Sequence, residues 1–71
     1  MGVFRMIKMY RREEGGRVEK GKLYVRYDKN EGYSYRLPDE TMYTDLSATS
    51  DYDAEYAAET IAAGEGWKEE R

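Results

Sequence analysis

The chain has no cysteine and no histidine among its 71 residues. That removes disulfide staples, the usual zinc-ligand sets, and every nucleophile–base pair built on either residue. Proline occurs once, and Leu, Ile, Val and Phe together number only nine. So small a branched-apolar fraction is found in disordered chains, but those also carry a high net charge, and this chain carries −3. Eight tyrosines and four methionines supply the missing apolar mass. The reading is therefore one folded domain over residues 1–71, with a core near the lower size limit for independent stability.

Long hydrophobic runs are also missing. Nothing approaches the ~20 apolar residues of a membrane-spanning helix. The segment "MGVFRMIKMYRR" is broken by Arg5 and Lys8 and lacks a small-residue cleavage site, unlike a secretory signal. Met6 stands where a myristoylation signal needs Ser or Thr. The expectation is a cytoplasmic protein with no membrane partner.

What is present is charge, unevenly placed. Residues 1–38 hold ten basic and five acidic side chains, and residues 39–71 hold two basic and ten acidic ones. Either the fold has two faces of opposite sign, or its halves neutralise each other internally.

Residues 2–12 mix Val, Phe, Ile and Tyr with Arg and Lys and read as a strand. Gly15-Gly16 suits a two-residue hairpin loop, whose central positions both need positive φ. Residues 17–28 then return as a second strand. "DKNEG" makes a further turn into "YSYRL", and Pro38 ends that third strand because it has no N–H to give a ladder. A short fourth strand is expected at 41–46. From Ser50, "SDYDAEYAAETIAAGEGW" reads as a helix capped by Ser50 and Asp53. Ala54, Ala57, Ala58, Ile61 and Ala62 lie on one stripe, and Trp67 folds back beyond Gly64 or Gly66. The expected class is α+β: a small antiparallel sheet of three or four strands packed on one C-terminal helix.

The hairpin register opposes Phe4 to Tyr27, Met6 to Val25 and Lys8 to Leu23, mostly a core face. An odd-length second turn adds Tyr33, Tyr35 and Leu37 to it, with Ser34 and Arg36 outside, and an even-length turn reverses this. The core placement is preferred, because Tyr33 then stands across from Tyr27 and Leu37 from Leu23. The reverse face opposes Arg5 to Arg26, Ile7 to Tyr24, Met9 to Lys22 and Arg11 to Lys20. Directly opposed like charges destabilise a sheet, so this face needs an acidic cover, internal or external. Arg5, Ile7, Lys22, Tyr24, Arg26 and Arg36 are the candidate partner-binding residues.

"KGKLYVRY" at 20–27 shares Lys20, Gly21, Val25 and Tyr27 with an RNA-recognition signature, but Lys22 and Leu23 fill its aromatic and small positions. An ordinary alternating strand accounts for it. "DYDAE" begins like a calcium loop, yet Tyr56 replaces its glycine and Ala62 its bidentate glutamate. No phosphate-binding glycine loop is present, and no carboxylate stands alone in an apolar context. No catalytic residue, cofactor or metal is therefore expected. A three-stranded sheet backed by one helix resembles, in element order, the small DNA-binding domains of phage-type integrases and plant AP2 factors. That resemblance implies a sheet laid in the major groove through Arg5, Lys22, Arg26 and Arg36; the stretch 39–50 departs from the pattern.

Three functions follow in order of preference. The first is a non-enzymatic protein-binding module or small inhibitor of the kind phages encode, since Tyr and Arg dominate interface hot spots. The second is a nucleic-acid-binding domain. The third is a structural subunit of a homo-oligomer.

Overall fold

A computed structural model describes residues 4–70. Two long strands, β1 (Arg5–Glu14) and β2 (Arg17–Asp28), form a hairpin closed by Gly15 and Gly16 at φ 59° and 81°. That is the left-handed pair a twisted two-residue turn demands, and it fixes the whole register. Arg5 opposes Arg26, Met6 Val25, Ile7 Tyr24 and Glu14 Arg17, as the sequence implies. The remainder of the expected strand at 2–12 lies outside the described residues or outside β1.

A three-residue loop leads into β3 (Gly32–Arg36), with the Asp28 carboxylate accepting from the N–H groups of Asn30 and Glu31. The odd loop sets Tyr33 against Tyr27 and Tyr35 against Val25, the core placement. The short strand β4 (Thr44–Leu46) pairs with β3. Helix α1 (Asp51–Gly64) follows, and then a strand absent from the sequence reading, β5 (Lys68–Glu69), which pairs with β1. The sheet is thus five-stranded, in the order β4-β3-β2-β1-β5, and antiparallel where its strands pair. The α+β class stands, with one more strand than expected.

The helix starts where Ser50 Oγ accepts from Asp53 N–H at 3.1 Å. Asp53 answers by accepting from the N–H of Thr49, at 3.0 Å, so the reciprocal cap reaches one residue further back than expected. Ala54, Ala58 and Ala62 are fully buried, while Ala57 and Ile61 are half-buried. Methyl-sized contacts let the helix lie close to the sheet, and Leu23, Val25, Leu37, Met6 and Tyr10 fill the interface. At the far end Trp67 N–H bonds back to the Ala62 carbonyl and its ring is buried. This tight exit turn aims residues 68–69 at the edge of β1.

The single proline sets a second close contact. A Cβ added at Gly21 would stand 2.7 Å from Pro38 Cβ and 3.2 Å from the Pro38 carbonyl oxygen. Gly21→Ala is therefore expected to cost about 1–3 kcal/mol, read by urea denaturation. An unchanged midpoint would show that the Pro38 turn is not held against β2.

Tyr33 ties β3 to the helix start: its hydroxyl donates to Asp51 Oδ1 at 2.5 Å. That bond, with desolvation behind it, pushes the phenol from 10.0 up to about 12. Burial, followed by the charge of Glu59, raises Tyr10 as well. A near-ultraviolet pH titration should therefore show late-titrating tyrosines, and Tyr33→Phe should remove one of them. Because the folded value is the higher one, the Tyr33–Asp51 contribution is intact below pH 10 and disappears as pH rises through about 12. A Tyr33→Phe curve superimposable on the parent would sink this assignment.

Candidate interaction face of the sheet

Side chains alternate across a strand, and the helix covers only one face. Odd positions of β1 and even positions of β2 and β3 therefore point away from the helix. The register places Ile7, Tyr24 and Arg36 in one row across this outward face, and Arg5, Arg26 and Ser34 in the next. Met9 opposes Lys22, and Lys68, Arg11 and Lys20 form a further basic row. Ile7 and Met9 are 50% and 43% exposed, a large apolar fraction for the open side of a sheet.

All six candidate residues share this face. Sequence reasoning left out Tyr43, which arrives from the connection between β3 and β4. There Arg36 donates to the Glu40 carbonyl at 2.7 Å, and Glu40 N–H bonds to the Leu37 carbonyl. The turned chain brings the Tyr43 ring across the face, with the Arg26 guanidinium 3.6 Å from its centre. Arg36 stacks on Tyr24 at 4.2 Å and lies 5.7 Å from Tyr43. Arg26 also donates from Nε to Ser34 Oγ at 3.2 Å, which accounts for a serine buried on an otherwise open face. Each stacked pair contributes about 0.5–1 kcal/mol at such exposure. Nothing in "ETMYTD" signals this, because the placement depends on a non-periodic loop.

Ion pairs show where the two charge halves neutralise each other. Lys8 lies 2.6 Å from Glu59, 3.6 Å from Glu55 and 3.9 Å from Glu69. Its hydrogen bond to Glu59 and the three carboxylate charges outweigh desolvation and raise its pKa. Arg12, stacked on Trp67 at 4.3 Å, binds Glu19 at 2.9 Å and Asp39 at 3.2 Å, and its pKa too is raised, first by the Glu19 bond. Lys20 reaches Glu70 at 3.3 Å. On the outward face, Arg5, Lys22, Arg26 and Arg36 have no carboxylate within 4 Å among the described residues. Neutralisation reaches the outward face too, where Arg11 binds Glu13 at 3.0 Å and Asp45 stands opposite Ser34. What is left unpaired among the described residues is the smaller set Arg5, Lys22, Arg26 and Arg36.

No helix among the described residues is long and apolar enough to cross a membrane. No protein-family model, no curated protein and no solved structure matches the chain.

Proposed function

We propose that this chain is a non-enzymatic protein-binding module, acting in the cytoplasm by contact as small phage-type inhibitors do. The observation that carries this reading is the outward sheet face. Ile7 and Met9 stand exposed beside Tyr24, and arginines without carboxylate partners among the described residues border them. Aromatic and arginine anchors around an apolar centre are the make-up of interface hot spots. The residue inventory supports contact over catalysis, since cysteine and histidine are missing and the hydroxyls Ser50 and Tyr33 are engaged at the helix start.

The test is affinity purification of the tagged full chain from cells, with Tyr24→Ala as the control. A nuclease-resistant protein partner retained by the parent and lost by the variant supports the reading. Capture that is identical with Tyr24→Ala overturns it. Nucleic-acid binding is the second reading, favoured by the row Arg5, Arg26 and the nearby Arg36. Phosphate contacts would dominate its affinity, and nuclease-sensitive capture would select it.

A further inference from the structure

Arg26 and Arg36 are held before anything binds. Tyr43 covers one face of the Arg26 guanidinium and Tyr24 one face of Arg36. One edge donor of each is also fixed, Arg26 Nε on Ser34 and a terminal nitrogen of Arg36 on the Glu40 carbonyl. A guanidinium has five N–H donors, so among the described residues both keep an unengaged pair suited to a carboxylate: the two terminal nitrogens of Arg26, and Nε with the other terminal nitrogen of Arg36. The two residues are diagonal neighbours across β2 and β3, about 7 Å apart at the backbone. Arg5, directly opposite Arg26, widens the positive field. Of the fifteen acidic residues in the chain, Asp45 stands in the same row, opposite Ser34, but none lies within 4 Å of these three arginines among the described residues.

We propose that this pair is a preformed two-carboxylate clamp, and that the occupant of the face is an acidic protein segment with apolar or aromatic side chains among its carboxylates. This rests on reading the sheet face as protein-binding and names the partner's chemistry. Charge complementarity requires an anion. Exposed Ile7 and Met9 favour a polypeptide over a phosphate backbone, which has no apolar side chains to cover them. Tyr43 is then a positioning residue, acting through Arg26: its ring removes the rotamer freedom that binding would otherwise have to remove.

The clamp is tested with the full chain and three probes: a glutamate–tyrosine copolymer, poly-L-glutamate, and duplex DNA of matched charge. The copolymer is expected to bind tightest at physiological salt and to shift the Nε–H resonances of Arg26 and Arg36. Arg26→Lys keeps the charge but loses the fork, and is expected to weaken copolymer binding about tenfold. Tyr43→Ala should weaken it similarly, and Tyr43→Phe should restore it, because stacking needs the ring and not the hydroxyl. Tighter binding to the duplex overturns the proposal, as does copolymer affinity indifferent to Arg26→Lys and Tyr43→Ala. So does concentration-dependent self-association abolished by Arg26→Lys, since a second copy would then occupy the face. If Tyr24→Ala abolishes capture of a cellular protein while no copolymer binds, the clamp fails and the protein-binding reading survives.

Discussion

Trp67→Ala is expected to remove about 3–5 kcal/mol of stability, the usual cost of truncating a buried tryptophan. A 71-residue domain has roughly 4–11 kcal/mol in total, so this one change takes a large fraction of it. Two contacts of the side chain explain the size of the effect. The ring is 3% exposed and belongs to the main core. Its π face carries Arg12, which in turn holds Glu19, Asp39 and the Glu65 carbonyl. Removing the ring leaves a cavity beneath a guanidinium and frees the segment that carries β5. Trp67→Phe separates these contributions. The indole N–H is buried without a partner among the described residues, a polar cost that Phe does not incur. Phe also keeps an aromatic face for Arg12, so its loss should be much the smaller. Urea unfolding followed by far-ultraviolet circular dichroism reads both variants, independently of tryptophan fluorescence. Equal losses for Ala and Phe would show that the packed ring and its Arg12 stack, which Phe largely keeps, do not set the effect.

The parts of this fold that were legible in sequence are those where local chemistry repeats with a period. Gly15-Gly16 admits few loop geometries, and that loop determines every pairing between β1 and β2. Tyr33 and Leu37 choose the core face of β3 because the other register would put Ser34 and Arg36 under the helix. Ser50 and the alanine stripe define the helix, although only Ala54, Ala58 and Ala62 are sealed. The misses share a different origin. Lys68–Glu69 is polar and two residues long, so β5 exists because buried Trp67 delivers it to an open edge. Tyr10 has the same local sequence signal as any strand tyrosine, yet it is 3% exposed, opposite Gly21, which carries no side chain of its own and lies under Pro38. Tyr43 stacks on Arg26 through a loop whose path depends on Pro38 and Glu40. Such contacts are decided by tertiary placement, and no window of the sequence contains both partners. The candidate face was legible as a set of strand positions; its organisation by stacked rings was not.

The double change Arg5→Ala with Arg26→Ala should leave the domain folded, at most about 2 kcal/mol less stable, while costing about 2–5 kcal/mol of partner binding. Opposing terms decide the stability. Arg5 and Arg26 are directly opposed like charges, whose removal gains about 0.2–1 kcal/mol. Against this, Arg26 gives up its stack on Tyr43, worth about 0.5–1 kcal/mol at the surface, and its bond to the buried Ser34, worth about 0.5–1.5 kcal/mol. The net is a small loss, well short of unfolding the domain. Binding has no such offset, because a partner carboxylate buried against the altered face would be left unpaired. Tyr24→Ala, which also releases Arg36, should cost about 2 kcal/mol if the ring is a central anchor. Ionic strength then separates the partner classes. On duplex DNA the affinity should fall with a log–log slope near −0.9 for each phosphate neutralised. A protein interface centred on Tyr24 and Ile7 should respond mildly, chiefly in its association rate. An unfolded double variant would make Arg5 and Arg26 structural residues and remove the interaction face, whereas a folded variant with unchanged partner affinity would place binding elsewhere on the molecule.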